Sequence, residues 1–176
     1  MTKDPTARPD ARTIGRLLRS TAVLHSTPTV MTTALDGTYL LVNANSSMVL
    51  DASGHRAANG TPIIQWPSNG GANQQWKLSS TGDGYYTVTG VGSGKALDVP
   101  NASAVPGTQL NLWEGNGGTN QQWLVVPRGG ANYTLESRAN GNLVDVNGAS
   151  LAKGAKAIEW PANGGANQLW QLVKTG

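Results

Sequence analysis

The chain has 176 residues, enough for one domain with a tail. It has no Phe and no Cys but 23 Gly and 6 Trp, a composition suited to short strands and tight turns; disulfides and thiolate metal sites are excluded. Two histidines, His25 and His55, are too few for a His-rich metal site, so neither a metal nor a cofactor is expected.

The net charge of +3 is unevenly spread. Residues 1–35 carry five basic and two acidic side chains, whereas residues 36–176 carry eight of each. The body is therefore neutral, which argues against nucleic acid as a partner, because phosphate binding needs a concentrated basic surface. No apolar run approaches the roughly 20 residues that span a bilayer.

In chain order, residues 1–35 come first and read as a leader or linker. Ala11 to His25 interleaves Ile14, Leu17, Leu18 and Leu24 with Arg12, Arg16 and Arg19, a pattern compatible with a short amphipathic basic helix. It lacks the continuous apolar stretch of a secretory signal; a disordered segment and a membrane-surface segment are the other readings.

From Asp36 onward the sequence repeats. The segments GANQQW, GTNQQW and GANQLW end at Trp76, Trp123 and Trp170, spaced 47 residues apart. Such a period signals a repeat architecture whose units bury their apolar faces together. The units are 36–82, 83–129 and 130–176. Tyr39, Tyr86 and Tyr133 are equivalent, as are Asp51, Asp98 and Asp145, then Trp66, Trp113 and Trp160, and then Asn73, Asn120 and Asn167.

Each unit predicts four strands. The first starts near the Tyr. The second ends in an apolar residue and the Asp, as in Val49-Leu50-Asp51. The third leads into Trp66, Trp113 or Trp160. The fourth opens on Trp76, Trp123 or Trp170, with an apolar residue two positions on, which makes these three tryptophans core. The expected fold is all-β, with twelve strands in three pseudo-threefold repeats and Gly-, Asn- and Pro-rich turns between strands.

The Asp, the aromatic about fifteen residues later, the Asn-Gln pair and the QxW ending, three times in register, resemble the ricin-type β-trefoil lectins, also found as carbohydrate-binding modules of secreted glycosidases. The likeness covers residues 36–176. It implies a β-trefoil: a six-stranded barrel capped by three hairpins, with one potential sugar site per repeat. It also implies the roles of the residues. The Asp accepts from adjacent hydroxyls, the Trp stacks on the ring, the Asn bonds a further hydroxyl, and Gln74, Gln121 and Gln168 orient the Asp. The implied site residues are Asp51, Trp66 and Asn73; Asp98, Asn111, Trp113 and Asn120; and Asp145, Trp160 and Asn167. Galactosides or plant polysaccharides such as xylan are the implied partners, and a secreted or extracellular location follows from the same likeness. The chain also fits the binding module of a larger glycoside hydrolase.

The chemistry of these residue types agrees. A pyranose presents a patch of C–H groups and a rim of hydroxyls. An aromatic face suits the patch, and a carboxylate and an amide suit the rim. The structural readings are a turn cap for the Asp, loop stabilisation for the Asn and packing for the Trp.

The repeats depart from the family in the third strand. Where a Gln usually precedes the aromatic by two, this chain has Ile64, Asn111 and Ile158. The middle repeat alternates polar and apolar residues up to Trp113, whereas Gln65 and Glu159 stand immediately before the outer tryptophans. A bulge in the outer repeats would reset their phase, so the middle site is the clearest. A catalytic reading lacks support, since the repeated Asp residues lie in different units and a glycosidase needs two carboxylates across one bond. The alternative to sugar binding is a trefoil used as a protein-interaction scaffold or inhibitor.

Overall fold

A computed structural model describes residues 34–176; the amphipathic segment expected between Ala11 and His25 lies outside the described residues. The first repeat contains β1 (Gly37–Asn43), β2 (Val49–Ala52), β3 (Ile63–Trp66) and β4 (Trp76–Ser80). The second contains β5 (Tyr86–Gly90), β6 (Ala96–Asp98), β7 (Asn111–Trp113) and β8 (Gln122–Pro127). The third contains β9 (Asn132–Ser137), β10 (Leu143–Val146), β11 (Ala157–Trp160) and β12 (Trp170–Lys174).

The first and fourth strands of each repeat close a six-stranded antiparallel barrel. β1 pairs with β4, β4 with β5, β5 with β8, β8 with β9, β9 with β12 and β12 with β1. Closure leaves none of these strands with an unpaired edge. The second and third strands form the hairpins β2–β3, β6–β7 and β10–β11 over one end of the barrel. Backbone hydrogen bonds tie the hairpins into a ring: Ile63 N donates to Leu110 O at 3.0 Å, Leu110 N to Ala157 O at 3.0 Å, and Gln65 N to Ala155 O at 2.9 Å. The fold thus has the twelve strands that the repeat predicted and is the β-trefoil that the family resemblance implied.

Its core is built by equivalent residues from all three units. Leu41, Val88 and Leu135 on the first strands, Leu50, Leu97 and Val144 on the second, and Ile63, Leu110 and Ala157 near the third are all buried. The fourth-strand tryptophans join barrel to cap. Trp76, Trp123 and Trp170 are fully buried, and their indole Nε1 groups donate to Leu50 O at 3.0 Å, Leu97 O at 3.1 Å and Val144 O at 3.0 Å. A buried indole N–H needs such a partner. Tyr39 and Tyr86 are buried in the same core, and Tyr133 packs against it.

The third strands keep one phase without a bulge. Opposite one another stand Asp51 and Ile64, Asp98 and Asn111, and Asp145 and Ile158, each within an unbroken ladder. Side chains on a strand alternate between its faces. Gln65, Leu112 and Glu159 therefore point into the cap and are all fully buried, while positions 64, 66, 111, 113, 158 and 160 face the other way. The outer repeats do not shift their strands to hide a polar residue; they bury it.

The two buried polar residues are satisfied unequally. Gln65 Oε1 accepts from Ser46 Oγ at 2.7 Å, and its Nε2 donates to Ser150 O and Ala152 O at 2.9 Å each. Glu159 Oε2 accepts from Asn140 Nδ2 at 2.7 Å, but Oε1 has no partner. A glutamate has no N–H to offer at the place where Gln65 donates. Burial pushes its carboxyl group above the ordinary range, against the pull of the bond from Asn140.

Candidate functional site

Each hairpin is flanked by a concave site on its outer face. The second strand supplies the Asp, buried to 2–3% exposure at Asp51, Asp98 and Asp145. The chain then makes a tight turn, at Ser53–His55, Pro100–Ala102 and Asn147–Ala149. Two successive residues in each turn take left-handed backbone conformations: Gly54 and His55, Asn101 and Ala102, and Gly148 and Ala149. For His55, Ala102 and Ala149 that conformation is strained, and it recurs at the rim of all three sites.

The loop before the fourth strand supplies the clamp. Gln74 Nε2 donates to Asp51 Oδ2 at 2.8 Å, Gln121 Nε2 to Asp98 Oδ1 at 3.0 Å and Gln168 Nε2 to Asp145 Oδ2 at 2.8 Å. The second amide hydrogen goes to a backbone carbonyl, of Pro67, Glu114 or Pro161. The amide oxygen accepts from the N–H of Asn69, Asn116 or Asn163. Every polar group of the Gln is committed, so the Asp carboxylate is held in one orientation. Burial raises all three Asp groups above the ordinary carboxyl range, and the Gln bond opposes that rise.

The adjacent Asn is anchored through its amide nitrogen. Asn73 Nδ2 donates to Ala52 O at 3.1 Å, Asn120 Nδ2 to Val99 O at 3.0 Å and Asn167 Nδ2 to Val146 O at 3.1 Å. Asn120 Nδ2 also reaches Asp98 Oδ1 at 2.9 Å. The Asn oxygen tucks against Gly71, Gly118 or Gly165, where a Cβ would collide with it; that explains glycine at this place in each repeat.

The cavities collect the expected residues. One of about 310 Å³ is lined by Asp51, Trp66 and Asn73, with Ile64, Asn69 and His55. One of about 470 Å³ is lined by Asp98, Asn111, Trp113 and Asn120, with Asn101 and Asn116. One of about 370 Å³ is lined by Asp145, Trp160 and Asn167, with Asn147, Ile158 and Asn163. Gln74, Gln121 and Gln168 line none of them and stand behind the Asp. Trp113 and Trp160 are 43% and 42% exposed. Trp66 is more covered, with Lys153 Nζ 5.4 Å from its centroid.

The sites differ in their floors. Ile64 and Ile158 make two of them apolar, whereas Asn111 makes the middle one polar, with an Oδ1 that has no partner. Three further residues belong to these sites and were overlooked in the sequence: Asn69, Asn116 and Asn163. Each turns its own loop by accepting, through Oδ1, from the N–H of Gly71, Gly118 or Gly165 at 2.8 Å. The signal was present, since the three stand in the same 47-residue register.

A buried, oriented acceptor beside an indole face and an amide suits, in its chemistry, a polar ring with one apolar side. Each of the three cavities has one lining carboxylate. Among the described residues no helix is long and apolar enough to cross a membrane.

Known structures share this architecture. A designed threefold-symmetric protein, ThreeFoil, superposes with a TM-score of 0.78 at 43% identity, over 80% of this chain and 100% of the other. The exo-β-1,3-galactanase 1,3Gal43A of Clostridium thermocellum gives 0.77 at 40% identity, over 79% of this chain but only 30% of the enzyme. The ricin B-like lectin of Macrolepiota procera, solved with lactose, gives 0.71 at 22% identity, over 82% of this chain and 100% of the lectin; at that identity the likeness speaks for the fold alone. No curated protein sequence matches the chain. The family model described as ricin-type beta-trefoil lectin domain-like matches residues 29–113 and 119–176, and the chain belongs to that family.

Proposed function

We propose that this protein binds carbohydrate without catalysis, through as many as three shallow sites, one per repeat. The observation that carries this reading is the recurrence of one arrangement: an Asp held by a fully committed Gln, beside an outward Trp and an anchored Asn, lining a cavity in every repeat. Core packing requires none of these features on the outer face of a hairpin. The ionised Asp accepts from two neighbouring hydroxyls, the indole covers the C–H face of the ring, and the Asn meets a further hydroxyl.

Galactose-type sugars are the first ligands to test, with xylan and related plant polysaccharides next. The galactanase among the structural relatives, 40% identical over the shared region, favours that order. A single carboxylate per cavity supports binding over glycoside hydrolysis, which needs two flanking one bond. Open sites of this kind bind weakly, around millimolar or about −4 kcal/mol each, and gain on a polymer through multivalency. The family resemblance also favours an extracellular setting and the role of a binding module.

Titration calorimetry with galactosides and xylo-oligosaccharides, together with a glycan array, tests the reading. Binding of any of them that weakens as pH falls and the Asp carboxylates protonate is the expected result. Failure to bind any glycan, with tight capture of a protein instead, would replace it with the scaffold alternative.

A further inference from the structure

The three sites share a triad but not its surroundings. Around the first stand His55, Arg56 and Lys153. The positions related to these by the 47-residue repeat are Ala102, Ser103 and Asn59 around the second, and Ala149, Ser150 and Pro106 around the third. The second site has an acidic neighbour instead, Glu114 beside Trp113. Among the described residues, basic side chains occupy these three related positions at the first site alone.

It also adjoins a second cavity. This one measures about 220 Å³ and is lined by His55, Arg56, Asn73 and Ser93, with Gly90 and Gly92 along the neighbouring repeat. His55 and Asn73 line both cavities, so the two share a wall. Gly92 lines the crevice and packs closely on Ala72 and Asn73. The other repeats have Asn45 and Ala139 at that position, and Asn45 crosses the equivalent junction to bond Ala149 O at 3.1 Å. Asp51 lines the first cavity and not the second, and Arg56 lines the second and not the first. The negative and positive groups thus serve separate compartments.

We infer that the first-repeat site takes an acidic saccharide, with a neutral pyranose against Asp51 and Trp66 and the anionic group of the next unit in the cavity of His55, Arg56 and Ser93. This rests on the carbohydrate-binding reading above. A guanidinium offers five N–H donors and no acceptor, and it pairs with a carboxylate or a sulfate ester through two parallel bonds. Across the shared wall, Asp51 lines the first cavity and its carboxylate accepts from hydroxyl donors. A ligand that offers hydroxyls and an anion on adjoining rings meets both demands, which an inorganic anion does not.

The test compares three disaccharides by NMR titration of the full chain, following the Trp66 indole and Arg56 guanidinium signals. One is galactosyl-glucose, one carries glucuronic acid as its second ring, and one carries a sulfate ester there. The expected result is that an acidic disaccharide binds the first site about tenfold more tightly than the neutral one. The second and third sites should show no such preference. The gain should shrink at roughly 0.5 M salt, where charges are screened, and vanish in Arg56→Ser, which carries the residue of the other repeats. His55→Ala is the second variant should the first not fold. The tighter of the two acidic ligands tells carboxylate from sulfate. Equal affinity of neutral and acidic disaccharides at the first site overturns the inference and leaves carbohydrate binding standing, as does a preference that survives Arg56→Ser. Absence of binding by all three disaccharides at every site overturns both.

Discussion

Each repeat holds two tryptophans with opposite fates. Trp76, Trp123 and Trp170 are fully buried and bonded through Nε1 to the hairpin strands. Trp66, Trp113 and Trp160 end the third strands and face the cavities. The same residue type performs two jobs because strand phase sends one side chain inward and the other out. The inner set holds barrel to cap, and the outer set is free to differ in its surroundings, as Lys153 beside Trp66 illustrates.

Substitutions can break that contrast, in descending order of effect on stability. Trp123→Ala should cost about 3–5 kcal/mol in denaturant unfolding, as a large core deletion; a cost under about 1 kcal/mol would place it outside the core. Gln121→Leu should cost roughly 1.5–3 kcal/mol, because the buried Asp98 loses a donor, and it should weaken saccharide binding at the middle site with it. Glu159→Gln should stabilise the protein at neutral pH by about 1–3 kcal/mol. The new amide supplies the donor that Gln65 already uses at the equivalent place. Trp113→Ala should change unfolding free energy by less than about 1 kcal/mol while reducing binding at the middle site by roughly tenfold. Unfolding of that variant would assign Trp113 to the core.

The buried acids extend the contrast to pH. Asp51, Asp98, Asp145 and Glu159 all have carboxyl groups raised by burial. The folded protein holds these protons more tightly than the unfolded chain does. Their contribution to stability is therefore complete below the ordinary carboxyl range and is lost as pH rises through the raised folded values. Asp83 works the other way. Bonds from Thr81 and Arg138 hold it below the ordinary range, so its contribution is lost as pH falls. Melting curves across the acid range in Glu159→Gln should show a shallower decline with rising pH than in the parent. An unchanged slope would mean that Glu159 does not titrate in this window.

Much of the molecule was legible before folding. The 47-residue register of Trp76, Trp123 and Trp170 implied three like units sharing one core, since a single unit is too small to bury its own apolar face. Period-2 logic separated the two classes of tryptophan. The ten implied site residues all line the three hairpin cavities, because a symmetric repeat brings like positions to like places. What local pattern could not decide was the phase of the outer third strands. Gln65 and Glu159 look like surface residues in sequence, yet both are buried, because the cap surrounds that position with backbone carbonyls and side chains from two repeats. The cavity beside Arg56 was equally invisible. It exists at a junction between units, where Gly92 meets Ala72 and Asn73 of the preceding repeat. The sequence by itself determined the symmetry, the strand content and the residues repeated for a purpose, since these follow from period and alternation. Only the tertiary structure decided which polar groups are buried, which acceptors stay unpaired and which site has Arg56 and Lys153 beside it, because those depend on neighbours one or two repeats away in the chain.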